Sequence, residues 1–146
     1  MQIALPPYAY VPGQTPRHAE DAFAHICDTV QDGMDAAALA ASPAWAAGQK
    51  FFHAGFFWES HEVLEAVWMR TRPNSTERHL VQALIQTANA GLKARMQRPR
   101  AVLRLCDLAQ SHLQAARAAG GAELMALRFD DLAQEIENLR QQAQRE

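Results

Sequence analysis

Proline and glycine divide this chain into segments of helical length, and this division constrains the fold more than any other feature. Breaks at Gly55, Pro73, Pro99 and Gly120-Gly121 separate stretches whose apolar residues recur every three or four positions. No stretch shows the alternation of apolar and polar residues that is typical of a half-buried β-strand. Because the links between the segments are short, neighbouring helices should lie antiparallel. We therefore predict an all-α fold, a compact bundle of five or six mostly antiparallel helices.

Capping signals place the predicted helices. Thr15-Pro16 and Ser42-Pro43 each combine an N-cap residue with a proline in the first turn. Asn74 and Glu77 have the spacing of a capping box. The predicted helices cover residues 16–31, 43–54, 56–70, 74–96, 99–116 and 130–142, and a short turn or helix covers 35–41.

The first fourteen residues differ from the rest of the chain because they are rich in proline and tyrosine. This composition predicts an extended, ordered arm. With 146 residues the chain fits one domain. We predict a single helical domain over 1–146, with the arm at 1–14, a helical core at 16–116, and a closing helix and tail at 122–146.

Charge and composition exclude several classes of function. The formal net charge of −2 gives no basic footprint for nucleic acid or an anionic membrane surface. There is no secretory signal and no long apolar run, so we expect a cytoplasmic protein. Cys27 and Cys106 lack the spacing of a zinc or redox motif and are expected to be free thiols.

The helix predicted over 56–70 holds the most unusual polar residues. Its core face, at about 100° per residue, comprises Phe57, Ser60, Leu64, Val67 and Trp68. His61 lies at the edge of this face and Glu65 just beyond it, whereas Glu59 and Glu62 point away from it. A carboxylate drawn toward the core needs a partner, and His61 is one turn from Glu65. The pair is either a structural hydrogen bond or a group for metal ligation or acid–base chemistry.

Known metal motifs match this helix only in part. The zinc-protease pattern HExxH needs a second histidine where this chain has Glu65. The paired Glu-x-x-His of di-iron bundles is absent, which argues against a di-metal centre. A single divalent metal at His61 and Glu65 stays open as a cofactor.

The long helix carries a polar stripe of unusual composition. The stripe consists of His79, Gln82, Gln86, Asn89 and Lys93. Solvent-facing stripes are usually rich in Glu, Lys and Arg, so these amides suggest a polar cavity or a partner helix. A row of small residues beside the stripe, at positions 83, 87, 90 and 94, would let another helix approach closely, so a homodimer stays open.

The predicted helix at 16–31 would begin with two basic residues. Arg17 and His18 in its first turn would oppose the helix dipole. We expect an acidic residue to compensate them, with Glu59, Glu62 and Glu65 as the candidates.

Two motifs of this chain resemble a known family. Phe52-His53-Ala54-Gly55-Phe56-Phe57 is followed by a Glu59–Trp68 segment that reads ESHEVLEAVW, and residues 81–86 read VQALIQ. Together they resemble the bacterial and archaeal domain of unknown function 309 over about residues 45–115. The arm at 10–18 is similar to the leader of one branch of that family. Ser60, Val81 and Ala83 depart from its usual residues.

The resemblance implies an all-α bundle and no particular activity. It groups the candidate site residues, which are Glu59, His61, Glu62, Glu65, Trp68, Gln82 and Gln86, with Arg17 and His18 as accessory residues. We predict a binding or interaction module with a polar His/Glu/Gln site between helices 56–70 and 75–96. Its partner would be a small molecule or a protein. The alternative is a metal-assisted hydrolase that uses His61, Glu62 and Glu65.

Overall fold

A computed structural model describes residues 2–145, so Met1 of the predicted arm and Glu146 of the predicted tail lie outside the described residues. The helices are α1 (Ala24–Cys27), α2 (Ala36–Ala40), α3 (Pro43–His53), α4 (Phe57–Arg70), α5 (Thr76–Arg95), α6 (Pro99–Arg117) and α7 (Phe129–Gln144), and two short strands, β1 (Glu123–Leu124) and β2 (Leu127–Arg128), precede α7. From α3 to α6 each helix packs on the next, and α7 packs on α6 and α5. The predicted all-α fold is confirmed. No helix in the described part of the chain is both long and apolar enough to cross a membrane.

The caps of the central helices explain where they begin and end. The Ser42 side chain accepts a hydrogen bond from the Trp45 backbone N–H, as predicted, and Gly55 follows α3 with a φ of 87°. The cap predicted for α5 is wrong by one residue. Asn74 adopts a φ of 61°, and the side chain of Ser75 caps the helix by accepting from the backbone N–H of Arg78.

The helix predicted over residues 16–31 is wrong, because only Ala24–Cys27 forms α1. Thr15 does not cap a helix. Its hydroxyl accepts a hydrogen bond from the Val11 N–H at 2.8 Å and donates to the Ala9 carbonyl at 2.9 Å. These bonds close a turn within the arm and leave the following residues non-helical.

The expectation that no strand forms is also wrong, although the exception is small. Glu123–Leu124 and Leu127–Arg128 form an antiparallel hairpin. Its two turn residues, Met125 and Ala126, have φ values of 51° and 59°, as a two-residue hairpin turn of this kind requires. The hairpin contributes to the core because the Trp45 indole N–H donates to the Met125 carbonyl at 2.8 Å.

Small residues of α5 are buried in contacts within this chain. Ala83, Thr87 and Ala90 are fully buried, and Gly91 lets α4 approach so closely that an added Cβ would lie 2.6 Å from the Phe57 ring. These small residues therefore pack against other elements of the same chain, and a homodimer stays a prediction.

Candidate functional site

Glu59, in the first turn of α4, is the carboxylate most shielded from water. It is 0% exposed because the N-terminal arm covers it. Its Oε2 accepts a hydrogen bond from the Tyr10 backbone N–H at 2.7 Å and lies 2.6 Å from Nε2 of His18. Its other oxygen is buried and has no hydrogen-bond partner among the described residues. The expectation that Glu59 points into solvent is wrong. The helical wheel identified the face of α4 that packs on the other helices, whereas the arm covers a second face of α4, which includes Glu59.

Aromatic rings enclose the pair of Glu59 and His18. The Tyr8 ring stacks on His18 with centroids 4.7 Å apart, and Tyr10 meets Trp58 edge to face at 5.2 Å. Phe23 contacts the His18 ring edge to face at 5.3 Å. The expected contact of His18 with an acidic residue is present, although neither Arg17 nor His18 lies in a helix and no helix dipole is therefore opposed. These hydrogen bonds and ring contacts hold the arm against α4.

His61 lies two residues further along α4 and faces two carboxylates. Its Nδ1 is 2.9 Å from the Trp58 carbonyl, which can only accept, so Nδ1 carries the proton in the neutral ring. Its Nε2 lies 3.3 Å from a Glu65 oxygen and 3.8 Å from a Glu62 oxygen. The ligand atoms of the three residues all lie within 4.8 Å of one another. The predicted contact between His61 and Glu65 is confirmed.

Exposure differs among these three residues. The His61 side chain is 18% exposed and that of Glu65 is 53% exposed. The expectation that Glu65 is drawn toward the core is therefore wrong. Burial raises the pKa of Glu62, and the nearby Glu65 adds to this rise, whereas the charges of His61 and Arg17 oppose it. Arg17 thus acts on Glu62, while its guanidinium lies 6.0 Å from the Tyr10 ring.

A groove of about 760 Å³ runs between α4 and α5 and reaches α6. It contains four of the predicted site residues, which are Glu65, Trp68, Gln82 and Gln86. Asn89 and Arg78 also line it. The Arg78 guanidinium lies 3.8 Å from the centre of the Trp68 ring and donates a hydrogen bond to the Thr71 carbonyl. The polar stripe of α5, apart from Lys93, therefore faces this groove.

The predicted site residues fall into three neighbouring places. Glu59 and His18 lie under the arm. His61, Glu62 and Glu65 form a cluster on α4, which we call the α4 triad. The residues of α5 face the groove, and Glu65 is common to the triad and the groove.

Two features of this region were not predicted from the sequence. His112 of α6 faces His79 of α5 in the groove, with their Nδ1 atoms 3.1 Å apart. Burial lowers the pKa of His112, and His79 lowers it further. Of these two histidines, only His79 was noted in the sequence, as a member of the polar stripe. The second missed feature is the arm's backbone, since the N–H of Tyr10 reaches Glu59 and backbone groups leave no mark in a residue pattern.

Comparison with known proteins supports the family assignment and goes no further. Residues 45–105 match the model of the family described as a domain of unknown function, DUF309. This segment extends from α3 into α6 and includes the α4 triad and most of the groove. This part of the chain is therefore similar to DUF309, and the predicted resemblance is confirmed. No curated protein and no solved structure is significantly similar to the chain.

Proposed function

We propose that this protein is a binding module that holds a divalent cation at the α4 triad and a small polar molecule in the adjoining groove. The observation that carries the proposal is the convergence of His61, Glu62 and Glu65, whose ligand atoms lie within 4.8 Å of one another. One imidazole nitrogen and two carboxylates form a mixed donor set that suits divalent cations such as Mn²⁺.

The orientation of His61 supports ligation. Its Nδ1–H is held by the Trp58 carbonyl, so the Nε2 lone pair points toward the two carboxylates. A carbonyl that fixes the tautomer and the ring orientation in this way is a common outer-shell partner of metal-binding histidines. Glu62 and Glu65 are both partly solvated, so a cation can reach them without opening the bundle.

The groove supports the second half of the proposal. Its volume of about 760 Å³ lies in the range of small-molecule sites. Side-chain amides of Gln82, Gln86 and Asn89 line it and can both donate and accept hydrogen bonds. Because Glu65 belongs to both the triad and the groove, a bound cation and a bound molecule would both lie next to Glu65.

Titration with Mn²⁺ tests the proposal. We expect protein without an affinity tag to bind about one equivalent in isothermal titration calorimetry. Loss of one ligand, in His61→Ala or Glu65→Gln, should weaken binding by at least the roughly 10–100-fold that follows loss of an outer-shell partner. His25→Ala and Glu20→Gln alter exposed residues elsewhere and serve as controls. Mn²⁺ affinity that is the same in all five proteins would refute the proposal.

A metal-assisted hydrolase that uses His61, Glu62 and Glu65 is the second candidate. It is favoured by the raised pKa of Glu62, which brings this carboxylate closer to the range of a general base. The test measures hydrolysis of p-nitrophenyl acetate and p-nitrophenyl phosphate with Mn²⁺ present. Glu62→Gln should abolish turnover. Absence of turnover in the unaltered protein would eliminate this candidate and leave the binding module.

A further inference from the structure

Two histidines from different helices face each other in the groove, and neither belongs to the α4 triad. His79 belongs to α5 and His112 to α6, and both rings are half-buried. Their Nδ1 atoms lie 3.1 Å apart and their ring centroids 5.4 Å apart. The proposed function assigns no role to this pair.

We propose that His79 and His112 form a second metal site, for a transition-metal ion of the class that prefers imidazole nitrogen, such as Ni²⁺, Cu²⁺ or Zn²⁺. Imidazole suits these ions, and the neutral ring is a ligand through either nitrogen. The proposal does not rest on the α4 triad, because the two sites share no ligand.

The separation of the two nitrogens fits this role. Two ligand nitrogens that each lie about 2.0–2.1 Å from one ion are about 2.9 Å apart at a right angle and about 3.4 Å apart at a tetrahedral angle. The observed Nδ1 to Nδ1 distance of 3.1 Å lies between these limits. One ion can therefore contact both nitrogens at their present separation once the two rings turn so that both lone pairs point to it.

Without an ion the same distance corresponds to a hydrogen bond between the rings. Two neutral imidazoles can form it only if one Nδ1 carries a proton and the other accepts it. Coordination requires that this proton move to Nε2 of the same ring, which changes the tautomer and leaves the ring neutral. The ion thus takes the place of the shared proton, and both rings remain neutral.

The groove can complete the coordination. Gln82 follows His79 by one turn and lines the same groove, so its amide oxygen is available as a further ligand. Water or a bound molecule can occupy the remaining positions, since the groove is open along this wall. Arg78, a cation of the same groove, is already engaged by the Trp68 ring and the Thr71 carbonyl.

Calorimetric titration with Ni²⁺ in a His61→Ala background tests the proposal, because this background lacks the imidazole of the α4 triad. We expect about one equivalent of Ni²⁺ to bind. Adding His79→Gln or His112→Gln should weaken binding by at least the roughly 10–100-fold that loss of an outer-shell partner causes. Adding His25→Ala, which alters an exposed histidine, should change nothing.

A spectroscopic measurement keeps the test decisive if a variant is unstable. Electron paramagnetic resonance of the Cu²⁺-loaded His61→Ala protein should show coupling to two imidazole nitrogens, and His79→Gln should reduce this to one. Failure of Ni²⁺ to bind, or binding that neither glutamine variant weakens, would overturn the proposal and leave a hydrogen-bonded pair. Either result is distinct from failure of the triad, which Mn²⁺ titration of the His61-containing protein reports.

Discussion

Nε2 of His18 and Oε2 of Glu59 lie 2.6 Å apart, with the His18 side chain 6% exposed and the Glu59 side chain fully buried. Removing one partner of a buried hydrogen bond leaves the other polar group unsatisfied and costs about 1–3 kcal/mol, or more if that group is charged. We expect His18→Ala to lower the free energy of unfolding by roughly this amount, measured by urea denaturation monitored by circular dichroism. The Tyr10 N–H alone cannot replace the imidazole as partner of the carboxylate.

His25→Ala is the matched control, since His25 lies in the same region of the chain and is exposed. It should change the free energy of unfolding by no more than ~0.5 kcal/mol. In a double-mutant cycle, His18→Ala should cost less in the presence of Glu59→Gln, because the group that loses its partner is then an amide and no longer a carboxyl group. Equal costs in both backgrounds would show that the two side chains act independently.

Glu59 and His61 show how much of the fold and of the candidate site could be predicted from the sequence. Helices α3 to α6 follow from capping residues, breaks and apolar periodicity, because these signals act within a few residues. The burial of Glu59 could not be predicted that way. It depends on an arm 49 residues away whose backbone N–H of Tyr10 contacts the carboxylate. The helical wheel therefore located His61 correctly near Glu65 and misplaced Glu59.

The prediction of a helix over residues 16–31 was wrong for a related reason. Thr15 and Pro16 are a favourable helix start, yet the Thr15 hydroxyl forms hydrogen bonds with Val11 and Ala9 instead. A local capping preference is worth about 1 kcal/mol, which docking of the arm outweighs. The groove between α4 and α5 was partly predictable, since the amides of the polar stripe pointed to it. His112 was not, because nothing in α6 identifies its neighbour on α5.

Close packing of α3 against α4 depends on Gly48. A Cβ at this position would lie 2.6 Å from Cγ of Leu64, which is fully buried. Overpacking a core costs about 1–3 kcal/mol, whereas alanine in place of glycine gains up to about 1 kcal/mol of helix propensity. We expect Gly48→Ala to be destabilising in thermal unfolding, with a lower Tm than the unaltered protein.

A smaller side chain at the contact should relieve this strain. Leu64→Val removes one methylene from the side chain that the new Cβ would meet. It should lower the Tm of the parent more than that of the Gly48→Ala protein. If the two substitutions are strictly additive, the strain at Gly48 does not arise from this contact.

The hairpin before α7 contributes to stability through Trp45. Its indole N–H donates to the Met125 carbonyl at 2.8 Å, and the Trp45 side chain is 1% exposed. Trp45→Phe removes the donor and leaves a buried carbonyl unpaired, which costs about 1–3 kcal/mol, and the smaller ring adds a packing loss. Urea denaturation measures the total. Trp68→Phe is the matched comparison, because the Trp68 ring is only half-buried and should cost less.

Protonation of His112 should make stability depend on pH. Burial and the neighbouring His79 hold the pKa of His112 below its ordinary value of 6.5 in the folded protein. As the pH falls below about 6.5, the unfolded chain therefore binds a proton at this residue before the folded chain does, and stability falls until the folded-state pKa is passed. The free energy of unfolding, measured from pH 8 to pH 5 with EDTA present, should decline less steeply in His112→Gln than in the unaltered protein. His25→Gln should retain the full slope, and a slope that is unchanged in His112→Gln would contradict the prediction.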